Sequence, residues 1–192
     1  MVLSKNMQKL VAGSSTIRKL FEEGIELAKE VGAENVYDFS LGNPAAPVPE
    51  EVKKSIYDIL ENRNANFVHC YMPNAGYPEV REKVAANLNK KYNSSFTKDD
   101  IIMTVGAAGG INCVLRCLLE AEDEVLCFAP FFGEYNSYVM NFGGNLKVVP
   151  ADYETFQLNV EEADKYITER TKAVIINNPN NPSGVAVSYT HL

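Results

Sequence analysis

The chain has 192 residues, of which 46% are hydrophobic and 22% are charged, a composition typical of soluble globular proteins. Its formal net charge of −7 argues against nucleic-acid binding, which needs a basic surface to neutralise phosphates. No apolar run is long enough to span a membrane and the first residues lack the apolar core of a signal peptide, so we expect a cytoplasmic protein without membrane partners.

The cysteines and histidines do not have the spacing of a metal site. Cys113 and Cys117 lie four residues apart in an apolar helical segment, which favours reduced thiols in a protein core. Neither His69 nor His191 has a partner at catalytic spacing. We therefore expect no metal ion and no histidine-based chemistry.

The first half of the chain predicts three amphipathic helices and one short strand. Apolar residues recur at helical spacing from Ser14 to Gly32, from Pro49 to Asn62 and from about Tyr77 to Tyr92. The segment from Val36 to Leu41 alternates like a strand, and it leads into a turn-rich loop that contains Gly42. By itself this loop glycine indicates only a turn.

The second half alternates strands with helices, which is typical of a mainly parallel sheet covered by helices. Strands are predicted over Ile101–Val105, Glu124–Phe128, Leu146–Pro150 and Ala173–Ile176. The first and last are continuous apolar runs, and such runs indicate strands buried on both faces. Helices are predicted over Ile111–Leu119, between Tyr135 and Gly143, and over Asn159–Glu169.

Small residues join the predicted strand Ile101–Val105 to the helix that follows it. At such a turn, residues 106–110 (G-A-A-G-G) let backbone N–H groups approach an anion at the positive end of the helix. The spacing matches neither the dinucleotide motif G-x-G-x-x-G nor a P-loop. A phosphate site is therefore physically reasonable, whereas dinucleotides and ATP are disfavoured.

The loop after the last predicted strand is rich in polar side chains. Pro179 and Pro182 restrict the backbone there, so that a side-chain amide can be held in one orientation. Loops at the carboxyl ends of parallel strands line the ligand crevice of α/β sheets. The alternative is a polar turn that only closes the strand, since Asn, Pro, Ser and Gly dominate turns.

The motif N-P-x-N-P-[ST]-G, complete from Asn178 to Gly184, resembles the signature of aminotransferases of the large pyridoxal-phosphate fold family. Further segments that resemble this family begin at Gly42, Tyr71, Gly106 and Pro130, so that the resemblance covers roughly residues 14 to 185. Val80 departs from it, because leucine is usual there.

The resemblance implies an α/β fold: a mainly parallel sheet covered by helices, as in the large domain of pyridoxal-phosphate-dependent transferases, here truncated. Residues 1–47 would form an N-terminal arm and part of the small domain, and residues 48–185 part of the cofactor-binding large domain. The intact protein would be a homodimer.

The resemblance also implies binding roles for pyridoxal 5′-phosphate (PLP). Gly106, Ala107 and Ala108 would hold the phosphate, Phe132 would stack on the ring and Asn181 would bond the phenolic oxygen. Without the resemblance, Phe132 would be read as a core aromatic, which is the interpretation we favour for its neighbour Phe131.

Two further roles concern the substrate and the second subunit. Tyr71 would reach the cofactor phosphate of the other subunit, and the backbone at Gly42 would meet the substrate carboxylate. A partly buried loop tyrosine is the alternative for Tyr71.

The implied reaction is amino-group transfer between an amino acid and a 2-oxo acid, with PLP as electron sink. In the family, the Schiff-base lysine, the aspartate at the pyridine nitrogen and the arginine for the substrate carboxylate all follow the asparagine-rich loop. No lysine of residues 1–192 lies in a matching motif, so we assign no catalytic residue and expect the N-terminal half of an aminotransferase, inactive by itself. The alternatives are a non-catalytic folding or dimerisation fragment and a β-lyase of the same fold.

The last residues, 186–192, are expected to be a non-native tail. They do not continue toward the acidic, helix-starting segment that the resemblance implies. Val187 to Leu192 also corresponds to one reading frame of a transposon-end sequence that serves as an adapter in sequencing libraries.

Overall fold

The computed structural model describes residues 3–12, 16–40, 42 and 46–187, which belong to two compact units, Met1–Cys70 and Tyr71–Leu192. In this part of the chain no helix has the length and apolar character needed to cross a membrane. The same residues contain no group of three or more His, Cys, Asp or Glu side chains arranged for a metal ion. The division at residues 47 and 185 stays a prediction for the full-length protein.

The first unit is helical in its described residues. Its helices are α1 (Lys5–Ala12), α2 (Thr16–Val31), α3 (Glu50–Asn62) and α4 (Ala65–Val68). The predicted helices α2 and α3 are confirmed, with Pro49 as the N-cap of α3 rather than its first helical residue. The first predicted residues of α2, Ser14 and Ser15, lie outside the described residues, whereas α1 was not predicted.

The predicted strand Val36–Leu41 is wrong over its described residues, 36–40. These residues form no ladder, and the side chain of Phe39 is 92% exposed. A strand needs a neighbour that accepts and donates its backbone hydrogen bonds, and the described part of the first unit supplies none. Alternation of apolar and polar residues was therefore insufficient to predict a strand here.

The second unit contains a parallel sheet in the order β2-β1-β3, formed by β1 (Glu124–Phe128), β2 (Asn145–Val149) and β3 (Thr171–Ile175). These strands confirm three predictions. The helices of this unit are α5 (Pro78–Tyr92), α6 (Gly106–Leu118), α7 (Glu134–Met140) and α8 (Val160–Ala163).

The core lies on both faces of β1, whose five residues are all buried. On one face, Val125 packs with Leu115 and Leu119 at the end of α6 and with Val139 of α7. On the other face, Leu126 and Phe128 pack with Val149 of β2 and Ala163 of α8. Successive strand residues point to opposite faces, so helices cover the sheet on both sides, as predicted.

Two predictions of buried strands are corrected. Residues 101–105 form no strand, and Val105 is 96% exposed, because this segment joins neither free edge of the sheet β2-β1-β3 and the Met103 N–H donates instead to the Ala75 backbone oxygen at 3.0 Å. The strand β3 exists, but Val174 is 47% exposed. The face of β3 that carries Val174 is therefore partly open to solvent.

The helix predicted from Asn159 to Glu169 stops at Ala163. Asn159 caps it as expected, because its side chain accepts a hydrogen bond from the Glu162 N–H at 3.3 Å. Threonine hydroxyls then favour a turn: Thr171 Oγ1 accepts from the Thr168 N–H at 2.9 Å, and Thr168 Oγ1 donates to Glu124 at 2.7 Å. The shorter helix covers less of the sheet.

The cysteines of α6 are exposed rather than in the core, which corrects that prediction. The helix turns Ile111, Leu115 and Leu119 toward the sheet, and residues two positions away on a helix point elsewhere. Cys127 of β1 is buried instead, and burial raises the pKa of its thiol to about 12.

Replacing Leu126 by Ala should lower the free energy of unfolding of the second unit by about 2–5 kcal/mol, because a fully buried leucine leaves a cavity in a packed core. Urea unfolding followed by far-UV circular dichroism measures the change. The control is Leu118→Ala at a half-exposed position of α6, where we expect about 0.5 kcal/mol or less. Equal losses in both variants would contradict this core.

The thiol of Cys127 should resist alkylation in the folded chain, because the thiolate is the nucleophile and burial disfavours it. Iodoacetamide at pH 8 should modify the exposed thiols of Cys70, Cys113 and Cys117 and spare Cys127, as peptide mass spectrometry would show. In urea all four cysteines should react. Labelling of Cys127 at the rate of Cys117 in the folded chain would disprove its burial.

Candidate functional site

Two loops at the carboxyl end of the sheet lie in contact. The aromatic loop (residues 129–133) follows β1, and the asparagine loop (residues 177–185) follows β3. Since β1 and β3 are parallel neighbours, their carboxyl ends lie at the same edge. The side-chain amide of Asn180 donates a hydrogen bond to the backbone oxygen of Pro130 at 2.9 Å, which joins the loops.

The asparagine loop is closed by its own hydrogen bonds. The backbone N–H of Gly184 donates to the backbone oxygen of Asn180 at 2.7 Å, and the backbone N–H of Asn180 donates to the backbone oxygen of Val185 at 2.9 Å. Gly184 has φ 72°, a left-handed conformation that glycine adopts at little cost. The N–H of Asn181 donates to the side-chain oxygen of Asn177 at 2.6 Å. The loop thus has a defined shape.

Asn181 and Asn178 use their side chains differently. Asn181 is exposed, and among the described residues no hydrogen bond engages its side-chain amide. Asn178 binds the main chain of buried Val187 twice: its amide donates to the Val187 oxygen and its oxygen accepts from the Val187 N–H, both at 3.0 Å. Of these two residues, Asn181 is therefore the one whose side-chain amide remains open to a ligand.

The aromatic loop presents Phe132 on a support of packed rings. Phe132 is half-buried and meets the ring of Tyr135 edge to face, with centroids 5.7 Å apart and planes at 79°. Tyr135 is buried, and burial raises the pKa of its phenol, with smaller effects from Cys127 and Tyr138. Phe131 lines a small cavity between the two loops, together with Cys127 and Asn180.

Helix α6 packs its last turn on Val125 at the start of β1, and a short turn, residues 119–123, joins the two. We therefore expect the first turn of α6 to lie toward the carboxyl end of the sheet. The N–H groups of Ala107 and Ala108 lie in the first turn, where a helix offers them no acceptor. The N–H of Gly106 already donates to the Thr104 oxygen at 3.0 Å.

The remaining predicted site residues are both exposed. Tyr71, at the start of the second unit, is fully exposed. Gly42 lies in the first unit, and a Cβ atom added there would meet no atom within 4 Å. The structure thus brings the loops of Phe132 and Asn181 together, whereas Tyr71 has no described contact with them.

Two features of the site escaped the sequence analysis. The tie between Asn180 and Pro130 spans 50 residues of sequence, so no local pattern reveals which asparagine makes it. The edge-to-face contact of Phe132 with Tyr135 could have been predicted, because a tyrosine three residues after a phenylalanine, at the start of a helix, lies close to it.

The family model described as "Aminotransferase class I and II" matches residues 33–192. The chain is 36% identical over 195 aligned residues to "Aromatic-amino-acid aminotransferase 2" of Thermococcus litoralis, covering 100% of this chain and 47% of that protein. It is 37% identical over 172 residues to "Aspartate aminotransferase" of Pyrococcus abyssi, covering 88% of this chain and 42% of that protein. The chain thus spans less than half the length of these curated relatives.

Solved structures agree with this relationship. An amino transferase from Eubacterium rectale matches with a TM-score of 0.93 at 40% identity, covering 100% of this chain and 48% of that one. An aspartate aminotransferase from Thermus thermophilus, with maleate, matches with a TM-score of 0.84 at 28% identity and the same coverage. These matches confirm the predicted α/β fold, and the chain belongs to the class I and II aminotransferase family.

Proposed function

We propose that the full-length protein is a PLP-dependent aminotransferase that transfers an amino group between an amino acid and a 2-oxo acid. One observation carries the proposal. The bond between Asn180 and Pro130 places the open amide of Asn181 and the half-buried ring of Phe132 on adjoining loops at the carboxyl edge of a parallel sheet. Ligands of open α/β sheets bind at this edge, and the relatives are named aminotransferases.

The donor set suits a flat ring that carries a phosphate. The exposed amide of Asn181 can donate to a phenolic oxygen, and Phe132 can stack on a pyridine ring. The N–H groups of Ala107 and Ala108, with the positive end of α6, favour an anion. In the absence of a described lysine or arginine in these loops, backbone and amide dipoles would hold the cofactor through residues 106–108, Phe132 and Asn181.

When bound, PLP supplies an electron sink that favours loss of a proton from the carbon bearing the amino group. The residues of this chain would then bind and orient: the first turn of α6 holds the phosphate end, Phe132 restricts the tilt of the ring, and Asn181 fixes its rotation. Residues that move protons, and the lysine that binds the cofactor covalently, would come from the length of the relatives that this chain does not span. We therefore expect the 192-residue chain alone to be inactive.

The substrates and partners follow from the family rather than from a described pocket. Relatives are named for aspartate and for aromatic amino acids, so both classes are candidate donors, with 2-oxo acids as acceptors. A homodimer is supported by Tyr71, because a fully exposed tyrosine in a family motif is available to a second subunit. Gly42 would approach the substrate carboxylate, and we place the protein in the cytoplasm.

The full-length protein, expressed from its own locus, should bind PLP and transfer the amino group of aspartate or an aromatic amino acid to 2-oxoglutarate. Ala107→Pro should raise the dissociation constant for PLP about 10- to 100-fold, because it removes one N–H donor to a charged phosphate, about 1.5–3 kcal/mol. Proline is tolerated in a first helical turn. Absorbance titration and a coupled transaminase assay measure both quantities.

The control for this variant is Glu51→Pro, which places proline at the same position, the second residue, of helix α3 in the first unit. It should leave the dissociation constant for PLP within about twofold, a change of about 0.4 kcal/mol. A wild-type protein that neither binds PLP nor transfers amino groups would refute the proposed function. Equal effects of the two prolines would refute the phosphate site alone.

Replacing Tyr71 by Phe should weaken PLP retention in the full-length protein about tenfold or more, because it removes one hydroxyl that would donate to the cofactor phosphate. The fold should be unchanged, since the side chain is fully exposed in its own chain. The matched control is Tyr153→Phe, an exposed tyrosine of the same unit, which should retain wild-type affinity. Equal retention in both variants would contradict the role across the dimer.

A further inference from the structure

We propose that Asn180 is a positioning residue that fixes the asparagine loop against the aromatic loop, and thereby sets the place of Asn181 relative to Phe132. The inference rests on the proposed function, because it assigns a purpose to a contact between two loops that would hold the cofactor. Asn180 itself would not touch the cofactor. Its role would be exerted through its neighbours.

Both hydrogens of the Asn180 amide are engaged. One donates to the Pro130 oxygen at 2.9 Å and the other to Ser183 Oγ at 2.9 Å, which uses the full donor capacity of the group. The main chain of the same residue closes the asparagine loop through Gly184 and Val185. A single residue therefore both shapes one loop and attaches it to the other.

The attachment lies close to the two groups that it would position. Asn181 is the next residue along the chain, and Phe132 follows Pro130 by two residues. With so few bonds between them, a shift of the Asn180 side chain changes the spacing between the Asn181 amide and the Phe132 ring. Side chains that orient a ligand need placement within a fraction of an ångström.

The space beneath the attachment is nearly filled. The cavity there, lined by Cys127, Phe131, Tyr135, Ile175 and Asn180 among others, has a volume of about 10 Å³. That is at or below the size that holds one water molecule. A water molecule is therefore a poor substitute for the amide, and loss of the donor leaves the Pro130 oxygen without its partner.

Asn178 supplies a contrast within the same loop. Its side chain also makes two hydrogen bonds, but both are with the main chain of residue 187. It makes no described bond to the aromatic loop. Because the partner is main chain, the contact does not depend on which side chain residue 187 carries. Asn178 shapes the end of its loop, whereas Asn180 links two loops.

The test compares Asn180→Asp with Asn178→Asp in the full-length protein. Each change keeps the size of the side chain and replaces an amide donor by an acceptor, so each loses its bond to a backbone oxygen. The measurements are the dissociation constant for PLP, the visible circular dichroism of bound PLP, urea unfolding, and hydrogen exchange of residues 129–135 and 177–187 in the PLP-free protein.

For Asn180→Asp we expect an increase of about tenfold or more in the dissociation constant, equivalent to about 1.4 kcal/mol. We also expect a reduced circular dichroism signal of the bound ring and faster exchange in residues 129–135. For Asn178→Asp we expect faster exchange confined to residues 177–187 and a dissociation constant within about twofold of the wild type. Unfolding free energies should fall equally in the two variants.

Other outcomes separate the positioning role of Asn180 from the proposed function. If the wild-type protein binds PLP and the two variants match in affinity, circular dichroism and exchange, the positioning role is overturned and the proposed function stands. If Asn180→Asp loses affinity only in proportion to its stability, without faster exchange in residues 129–135, the role is likewise overturned. If the wild-type protein does not bind PLP, the proposed function fails and the inference falls with it.

Discussion

The burial of β1 is the constraint on which the second unit depends. Val125, Leu126 and Cys127 are each at most 1% exposed, because strands flank β1 on both sides and helices pack on both faces. A strand held in this way has no freedom to slip, since a shift of one residue would exchange its two faces. The loops that leave β1 and β3 therefore start from fixed points, and the short reach between Asn180 and Pro130 becomes possible.

The two ends of the sheet use different chemistry. At the amino end, Glu124 accepts from the Thr168 hydroxyl at 2.7 Å and pairs with Lys147 at 3.2 Å, and Asp123 lies 4.0 Å from Lys172. The Thr168 hydroxyl, more than Lys147, lowers the pKa of Glu124. The contribution of the ionised Glu124 carboxylate to stability is therefore present above the ordinary glutamate pKa and is lost as the pH falls through the lowered pKa.

At the carboxyl end the described contacts come from uncharged amides and backbone groups. Asn177 and Asn180 provide them. Charged side chains thus meet at the starts of the strands, while uncharged hydrogen-bond donors lie at the edge where the proposed planar ligand would bind. Such dipoles keep their orientation without the flexibility of a lysine side chain.

How much the sequence predicts depends on how local the cause is. Helices α2, α3 and α5, the cap at Asn159 and the three strands of the sheet arise from periodicity and side-chain chemistry within short windows, and they were predicted. The asparagine loop was found by its motif. The partner of each amide was not, because Asn177, Asn178, Asn180 and Asn181 are chemically identical and differ only in what the fold places beside them.

The errors share one physical origin. An apolar run predicts burial, yet burial needs a second surface, and the sequence of one segment does not say where that surface comes from. Residues 101–105 have the composition of a central strand but pair with no strand in the described chain. Val174 is 47% exposed, although its neighbours Ala173 and Ile175 pack on the core. Cys113 and Cys117 follow the same rule, since α6 has one packed face and one open face.

These uncovered segments are informative in themselves. The chain spans less than half the length of the relatives it matches, and its most apolar unpaired stretch, residues 101–105, leads directly into the first turn of α6. A strand paired at that position would fix the residue before Gly106, and with it the direction of the Ala107 and Ala108 N–H groups. The first turn of α6, the proposed phosphate site, thus depends for its rigidity on neighbours outside the sheet β2-β1-β3, whereas the link from Asn180 to Pro130 joins loops that leave two strands of that sheet.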